Sequence, residues 1–327
     1  MIISKTPYRL SLFGGGTDYP AWYEKNPSKI ISASMAYYCY ISLKQLPPYF
    51  DYVNRVIYSK IESVADISQI EHPSVRECLK YYDILNGISI SHDGDLPARS
   101  GIGSSSAFTV GLINAITTYL GESYSPYDII NDAIHIEQNL IGESVGVQDQ
   151  IMAMMGGVQV IELSKAGKKI MPLAVSYRYF EELQSHIMLG FSGIDRLSDV
   201  HAKKQVDNIK SGKSEEYLKA ISKIANQAHD LMLNKASMKE LGNLLIEQWY
   251  YKTALTDTVT NSYIDTIYNK AINAGAYGGK LMGAGGGGFF MFLAPPDAHE
   301  RIKQAIPEIN VWVPFKFDFE GSTIIME

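Results

Sequence analysis

Three glycine-rich segments carry the residues best suited to bind a phosphate group. They read Gly14-Gly-Gly-Thr-Asp18, Gly101-Ile-Gly-Ser-Ser-Ser106 and Gly283-Ala-Gly-Gly-Gly-Gly288. Glycines let a backbone approach an anion closely, and the serines of the middle segment can begin a helix. The amide groups and positive dipole of a helix start attract phosphate, and serine hydroxyls there can reach a metal bound to it. The middle segment therefore predicts a phosphate site.

Two familiar nucleotide motifs do not explain these segments. The sequence contains no Gly-x-x-x-x-Gly-Lys-[Ser/Thr], which excludes a P-loop by pattern. Gly283, Gly285 and Gly288 match Gly-x-Gly-x-x-Gly, but they precede a predicted strand, whereas a dinucleotide site needs a helix there. Any one run taken alone also fits an ordinary turn, since glycine is the default turn residue.

Four charged residues are candidates for chemistry beside phosphate. The apolar face of the predicted helix includes Ile130, Ile134 and Leu140. Glu137 is in register with the first two, which predicts that its carboxylate faces this apolar side. A buried carboxylate is costly unless it is paired or binds a metal, so an edge position or a buried ion pair is the alternative. Asp149, among apolar residues, suits a general base or a helix cap.

Asp18 and Arg9 are the other two of these residues. Asp18 follows three glycines and a threonine, where an Asx turn is the ordinary explanation and a sugar-hydroxyl acceptor is the functional one. Arg9 lies in a short apolar strand. It can stabilise a developing negative charge or simply mark a strand edge.

The predicted strands and helices that position these residues do not follow a regular βαβ repeat. Strand-like patterns cover residues 2–13, 29–44, 158–163, 186–191 and 289–293, and helical patterns cover 104–120, 125–141, 197–227, 237–255 and 261–274. Such an order favours an α+β fold over a doubly wound sheet. With 327 residues, two lobes are expected, and the second begins near residue 170.

Composition excludes several classes of function. The net charge is −6 and no lysine- or arginine-rich block occurs, which disfavours nucleic-acid binding. No stretch approaches 18 uninterrupted apolar residues, so we expect no membrane span. The two cysteines fit a reducing compartment and the amino terminus lacks a signal-peptide core, so a cytoplasmic location is expected. The oligomeric state stays open, with a homodimer as one option.

Taken in order, the three glycine-rich segments resemble the motifs of the GHMP kinase superfamily. Thr6-Pro-Tyr-Arg-Leu-Ser-Leu-Phe-Gly-Gly-Gly-Thr-Asp-Tyr19 is similar to motif one, Leu96-Pro-Ala-Arg-Ser-Gly-Ile-Gly-Ser-Ser-Ser-Ala107 to motif two, and Lys280-Leu-Met-Gly-Ala-Gly-Gly-Gly-Gly-Phe289 to motif three. The resemblance runs from about residue 3 to 294. Within the superfamily, the form of motif one and Gly190-Phe-Ser-Gly-Ile-Asp-Arg-Leu-Ser198 look like the D-glycero-D-manno-heptose kinases, although fucose kinases share part of the pattern.

The resemblance implies an enzyme that uses ATP and Mg²⁺ to phosphorylate a sugar hydroxyl, namely C1 of D-glycero-D-manno-heptose 7-phosphate. The product would be the 1,7-bisphosphate for nucleotide-activated heptose synthesis. A fucose or galactose kinase is the nearest alternative, and a non-catalytic sugar or nucleotide sensor is the alternative from another class. The implied fold has an N-terminal lobe like domain 2 of ribosomal protein S5 (residues 1–168) and a ferredoxin-like C-terminal lobe (169–327).

The resemblance also implies roles for individual residues. Asp149 matches the catalytic aspartate and Arg9 the basic position of motif one, while Glu137 and Ser105 match the magnesium ligands. The ATP phosphates would lie on motif two, which comprises Gly101, Ile102, Gly103, Ser104, Ser105 and Ser106. Isoleucine at 102 and serine at 106 are mild departures from the family's common leucine and alanine.

The sugar phosphate needs its own set of contacts. Asp18 matches the sugar-binding aspartate of motif one, and the neighbouring sugar-binding candidates are Gly15, Gly16, Thr17, Gly285 and Gly286. For the phosphate of the substrate the candidates are Arg196, Lys252 and Lys280, with ordinary surface charge as the alternative. Tyr37, Tyr38 and residues 51–65 are candidates for contacting adenine.

Overall fold

The computed structural model describes residues 1–85, 87–193 and 198–327. The larger sheet of the described chain contains eight strands: β1 (Ile2–Phe13), β2 (Ser28–Gln45), β3 (Asn54–Ile57), β4 (Ile61–Val64), β5 (Ile88–Gly94), β6 (Val158–Ser164), β7 (Gly167–Pro172) and β12 (Thr323–Met326). Their order is β12-β1-β2-β5-β3-β4, with β6 paired to β2 and β7 to β6. The β3–β5 pair is parallel, and the other pairs of this sheet are antiparallel.

Strand β2 organises the larger sheet because it is 18 residues long. Along one edge it pairs with β1, and along the other its first part pairs with β6 and its last part with β5. Isoleucine, serine and tyrosine dominate it, which are residues that suit a half-buried pleated surface. Its length therefore lets one strand support two branches of the sheet.

The smaller sheet comprises β8 (Ile187–Phe191), β9 (Gly278–Leu281), β10 (Phe289–Leu293) and β11 (Val311–Val313), in the antiparallel order β11-β8-β10-β9. Alternate residues of β10 serve two cores. Phe289 and Met291 join the core that includes the larger sheet, whereas Phe290 and Phe292 pack in a second cluster. The two sheets are thus joined through shared apolar packing.

Helices cover both sheets in the described chain. They are α1 (Pro20–Tyr23), α2 (Pro73–Tyr81), α3 (Ser104–Leu120), α4 (Pro126–His135), α5 (Gln148–Met155), α6 (Tyr177–His186), α7 (Ser198–Lys210), α8 (Glu215–Leu233), α9 (Met238–Thr253), α10 (Ser262–Asn273) and α11 (His299–Ala305). Short 3₁₀ turns span Ile67–Gln69 and Pro296–Ala298, and a π-helical turn spans Ile136–Ile141.

Helix α3 is the buried helix that positions the site. It packs on β1, β2 and α5, and most of its side chains are buried, as its apolar sequence predicts. A Cβ atom at Gly111 would lie 2.7 Å from Oγ1 of Thr6, so glycine is what allows the helix to approach β1 this closely. The helix begins where the second glycine-rich segment ends.

The predicted α+β fold is confirmed, and helix α3 has the bounds that the sequence predicted. The helical stretch expected over residues 197–227 was wrong in its continuity, because Gly212 with φ of 76° lies in a break between α7 and α8. The boundary after residue 168 stays a prediction. Strand β7 crosses that position within the larger sheet, and β12 returns the chain to β1.

Candidate active site

A cleft of about 970 Å³ is lined by residues from both halves of the chain. At one end lie the glycine-rich segment before α3, Arg9 and Asp149. Asp18, Lys252 and Lys280 also line the cleft, and because the sequence analysis assigns them to the sugar phosphate, we call their part of the cleft the acceptor end. The structure therefore brings together side chains that are separated by up to 271 positions in the sequence, from Arg9 to Lys280.

The phosphate end is built on the start of α3. Gly103 precedes the helix with φ of 75°, a left-handed conformation that favours glycine, and it carries no side chain to cap the first turn. The amide groups of that turn therefore remain available to an anion, and the helix dipole favours negative charge there. Gly101, Gly103 and the three serines that follow line the cleft.

Arg9 connects the phosphate end to the candidate base. Its Nε and Nη2 atoms donate to the two carboxylate oxygens of Asp149 at 2.7 and 2.9 Å, a bidentate pair. Its Nη1 atom donates to the carbonyl oxygen of Gly101, and its backbone amide donates to that of Ile102. One side chain thereby fixes Asp149 relative to the phosphate loop.

Gly103 is also required by this pair. A Cβ atom there would lie 3.1 Å from Cγ of Arg9 and 3.2 Å from Oδ2 of Asp149. Any larger side chain would have to displace one of the two partners, so the loop glycine serves both the helix start and the position of the carboxylate.

Glu137 is completely buried, as the sequence predicted. Ser106 Oγ and Gln150 Nε2 donate to its Oε2 atom at 2.8 and 2.5 Å, while Oε1 is buried without a hydrogen-bond partner. Burial, with a smaller contribution from the negative charge of Glu143, raises the pKa of Glu137 to about 7, and donors on Thr109, Ser106 and Gln150 only partly oppose that rise. One oxygen of the carboxylate is therefore held by Ser106 and Gln150, and the other has no hydrogen-bond partner among the described residues.

The local helix geometry explains how Glu137 is buried. Helix α4 ends at His135 and continues as the π-helical turn that contains Glu137. The wider turn changes the register, so Leu140, which was expected on the apolar face, is 42% exposed. π-Helical turns are often found at functional sites, which accords with a buried carboxylate here.

These groups fit a magnesium ion that is bound jointly with ATP. Mg²⁺ prefers oxygen ligands and usually takes one or two carboxylates together with substrate phosphates. The orphaned Oε1 of Glu137 and the hydroxyl of Ser105 are such oxygens. Ser105 lines the cleft, and Glu137 lies next to it through its hydrogen bond with the cleft-lining Ser106. Among the described residues, no group of three or more His, Cys, Asp or Glu side chains is suited to hold a metal.

The acceptor end is formed around Asp18. Its carboxylate is buried and accepts from the backbone amides of Gly16 and Gln148, at 3.1 and 3.4 Å. Burial, followed by the negative charge of Asp149, raises the pKa of Asp18. A Cβ atom at Gly146 would lie 1.9 Å from Oδ2 of Asp18, so only glycine at 146 leaves room for this carboxylate.

Two of the three predicted cations lie at the acceptor end. Lys280 donates to the carbonyl oxygen of Leu12 at 3.0 Å, and Lys252 donates to those of Leu281 and Gly283 at 2.7 and 2.8 Å. Burial, with the nearby charges of Lys252 and Arg9, depresses the pKa of Lys280 well below its usual range. Arg196 lies outside the described residues.

Four of the predicted binding residues face away from the cleft in the described structure. Ile102 is fully buried, and the hydroxyl of Thr17 donates to the carbonyl oxygen of Gly14. Gly285 and Gly286 pack against Val259 and His201, while Gly283 and Ala284 supply the lining from this segment. At Gly285 the backbone of Val259, and at Gly286 the imidazole of His201, occupies the space next to the glycine. Gly15 and Gly16 do line the cleft.

The cleft continues beyond the phosphate end into a group of rings that sequence reasoning mostly missed. Phe108 contacts the imidazoles of His72 and His92, with ring centroids 4.5 and 5.2 Å apart, and Tyr58 contacts His72 at 4.8 Å. Burial lowers the pKa of His72 to about 4, so its imidazole is uncharged at neutral pH. Tyr58 lies in the segment 51–65 named as an adenine candidate, whereas Tyr37 and Tyr38 hydrogen-bond Pro314 and Asp318 elsewhere.

The chain is similar in sequence to known kinases over most of its length. Residues 71–157 match the family model "GHMP kinases N terminal domain", and residues 218–310 match "GHMP kinases C terminal". The D-glycero-alpha-D-manno-heptose 7-phosphate kinase of Campylobacter jejuni is 30% identical over 336 residues, which cover 98% of this chain and 97% of that protein. The L-fucokinase/L-fucose-1-P guanylyltransferase of Bacteroides fragilis is 28% identical over 74% of this chain and 26% of its own.

A solved structure extends the similarity to the whole fold. The D-glycero-D-manno-heptose 1-phosphate kinase from Bacteroides thetaiotaomicron superposes with a TM-score of 0.81, at 24% identity, over 100% of this chain and 99% of that chain. Among the described residues, no helix has the length and apolar character needed to cross a membrane.

Proposed function

The chain belongs to the GHMP kinase family, and on that premise we propose that it transfers the γ-phosphoryl group of ATP to the C1 hydroxyl of D-glycero-D-manno-heptose 7-phosphate. GHMP kinases use ATP as a substrate, and the homologues make the chain a sugar kinase. One observation carries the proposed chemistry. Arg9 holds both oxygens of Asp149 beside the open start of α3, where the phosphates of ATP would bind.

In the proposed reaction, Asp149 accepts the proton of the C1 hydroxyl as that oxygen bonds to the γ-phosphorus. The bond from the γ-phosphorus to the bridging oxygen breaks, and ADP leaves with that oxygen. Arg9 orients Asp149 and supplies positive charge close to the transferring group. Phosphoryl transfer depends mainly on position and charge neutralisation, so these groups suffice for a large part of the rate enhancement.

A magnesium ion would be held by Glu137 and by hydroxyl oxygens at the start of α3, together with ATP phosphates. When bound, it neutralises part of the phosphate charge. Ser105 is exposed at the cleft and Ser106 contacts Glu137, so Ser105 is proposed as the residue that reaches the ion directly.

The proposed acceptor site lies around Asp18, Gly15 and Gly16, with Asp18 receiving hydrogen bonds from sugar hydroxyls. Lys252 and Lys280 are proposed to bind the phosphate of the substrate, because both are buried cations that line the same end of the cleft. The split into lobes 1–168 and 169–327 is proposed as well, with the cleft between them.

The fucose and galactose kinases are the main alternatives within the family, since a fucokinase matches 74% of the chain. A panel of heptose 7-phosphate, unphosphorylated heptose, fucose, galactose, homoserine and mevalonate distinguishes them by ADP release with Mg-ATP. The proposal predicts release with heptose 7-phosphate and a new anomeric phosphate signal in the ³¹P NMR spectrum of the product. Release confined to another sugar would refute the substrate, and ATP binding without release on any acceptor would favour the sensor.

A further inference from the structure

The hydrogen bonds of Glu137 are distributed unequally between its two oxygens. Oε2 receives one donor from α3, Ser106 Oγ at 2.8 Å, and one from α5, Gln150 Nε2 at 2.5 Å. Among the described residues, Oε1 has no partner that meets hydrogen-bond geometry, although it is buried and the hydroxyl of Thr109 lies near the carboxylate. A carboxylate with a purely structural role is expected to have both oxygens satisfied, because an unpaired buried acceptor costs about 1–3 kcal/mol.

The two donors are also located where they can control the direction of the carboxylate. Ser106 lines the cleft and is 2% exposed, while Gln150 is completely buried directly after Asp149. The two helices that supply these donors, α3 and α5, also supply the phosphate loop start and the candidate base. Two donors on one oxygen prevent rotation of the carboxylate and leave the other oxygen with a fixed orientation.

We propose that Ser106 and Gln150 are positioning residues that hold Oε2 of Glu137 and thereby present Oε1 to the magnesium ion of Mg-ATP. This inference rests on the proposed kinase function and extends it to residues that do not themselves contact the nucleotide. It also gives a reason for serine at 106, a position where alanine is commoner in the family motif. Groups that orient a metal ligand affect metal affinity without binding the metal.

Ser106→Ala and Gln150→Met test the inference, since each removes one donor at nearly constant shape. The measurement is the affinity of a non-hydrolysable fluorescent ATP analogue during a Mg²⁺ titration, and again in EDTA. We expect the Mg²⁺ concentration at half-effect to rise about tenfold in each variant, as for other residues that orient metal ligands. Affinity in EDTA should stay within about twofold, because the amide groups of the α3 start are unchanged.

Thr117→Ala is the matched control. Thr117 is also a buried hydroxyl of α3, and it donates to the carbonyl oxygen of Ile113, away from the cleft. It should leave the Mg²⁺ midpoint unchanged. Thermal unfolding of each variant establishes whether it folds. Because the two variants lie on different helices, the test can still be made if one of them does not fold.

A second comparison separates positioning from general support of the fold. In a Glu137→Gln background the metal ligand is already lost, so adding Ser106→Ala should not shift the Mg²⁺ midpoint further. A further shift there, or equal losses of affinity with Mg²⁺ and in EDTA, would overturn the inference, as would unchanged midpoints in both single variants. If the wild-type protein shows no Mg²⁺-dependent nucleotide binding, the proposed kinase function fails with it. Because no sugar is present, an error in the acceptor alone would not alter these results.

Discussion

The two ends of the cleft hold charge in different ways. At the phosphate end, the Arg9 guanidinium is matched by the Asp149 carboxylate in a bidentate pair. At the acceptor end, Lys280 donates to a backbone carbonyl, and the nearby Asp18 only partly offsets burial and two neighbouring cations. The depressed pKa of Lys280 is the measurable consequence. The phosphate end pairs one cation with one carboxylate, whereas the acceptor end has two lysines and the single carboxylate of Asp18.

This difference indicates what each end is built to receive. The Arg9–Asp149 ion pair is preorganised, since neither side chain has to move when a ligand binds. A buried lysine that is not fully neutralised by nearby carboxylates destabilises the folded protein. An anionic ligand that binds beside the lysine would remove this destabilisation. We therefore expect changes at the phosphate end to affect the rate of phosphoryl transfer, and changes to the lysines to affect recognition of the acceptor.

The largest effect is expected from Asp149→Asn. Asparagine keeps the shape but cannot accept the hydroxyl proton, so kcat should fall by at least about 100-fold. The affinity for Mg-ATP should change little, because the α3 start remains intact. Steady-state ADP release and calorimetric titration measure the two quantities. Asp128→Asn is the control, since Asp128 lies in the first turn of α4 outside the cleft. Retained turnover in Asp149→Asn would show that the base is elsewhere.

Gly146→Ala should damage the acceptor end without touching the phosphate end. Its Cβ would clash with Asp18 Oδ2, so the carboxylate must move and kcat/KM for the sugar should fall by about 100-fold. Affinity for ATP should be preserved. In an Asp18→Ala background the clash disappears, so the added Gly146→Ala should cost little. An equally large loss in both backgrounds would mean that Gly146 matters for another reason.

Lys280→Met should separate phosphorylated from unphosphorylated acceptors. Loss of one charge-assisted contact is expected to raise KM for heptose 7-phosphate by about tenfold or more, and to leave the KM for free heptose nearly unchanged. The unfolding temperature should not fall, since methionine removes a buried cation. Lys168→Met, a change at a part-buried lysine of β7, is the matched control. Equal increases for both sugars would place the substrate phosphate elsewhere.

The smallest effect concerns stability and pH. Because the folded-state pKa of Glu137 is about 7 and its ordinary value is 4.5, the folded protein holds this proton more tightly. Stability should therefore fall as pH rises from about 4.5 to 7 and stay lower above that range. Metal-free Glu137→Gln should be more stable than wild type at pH 8 by about 3 kcal/mol, and the advantage should vanish near pH 4.5. Denaturant unfolding in EDTA measures both, and parallel pH curves would contradict the raised pKa.

The two ends also differ in how much of their structure could be predicted from the sequence. The phosphate end follows from a contiguous glycine–serine segment, so its helix and the burial of Glu137 were predicted correctly. The Arg9–Asp149 pair joins residues 140 positions apart, and only the resemblance placed both in one site. Leu140 is exposed because it lies in the π-helical turn. A prediction from the regular helical period assumes 3.6 residues per turn and therefore could not place it correctly.

The acceptor end was harder because its residues come from distant segments. The sequence named Asp18, Lys252 and Lys280, and the structure places all three on the cleft. It also named Gly285 and Gly286, which pack away from the cleft against Val259 and His201. A run of glycines has no side chains whose pattern could reveal which members face a ligand, so the roles of Gly285 and Gly286 stay predictions.

The central claim is that the acceptor is a sugar that already carries a phosphate. The most direct test is the ratio of kcat/KM for D-glycero-D-manno-heptose 7-phosphate to that for the same heptose without phosphate, at fixed saturating Mg-ATP. Two charge-assisted contacts from Lys252 and Lys280 predict a ratio of about 100 or more. A ratio near one, or a preference for the unphosphorylated sugar, would contradict the account.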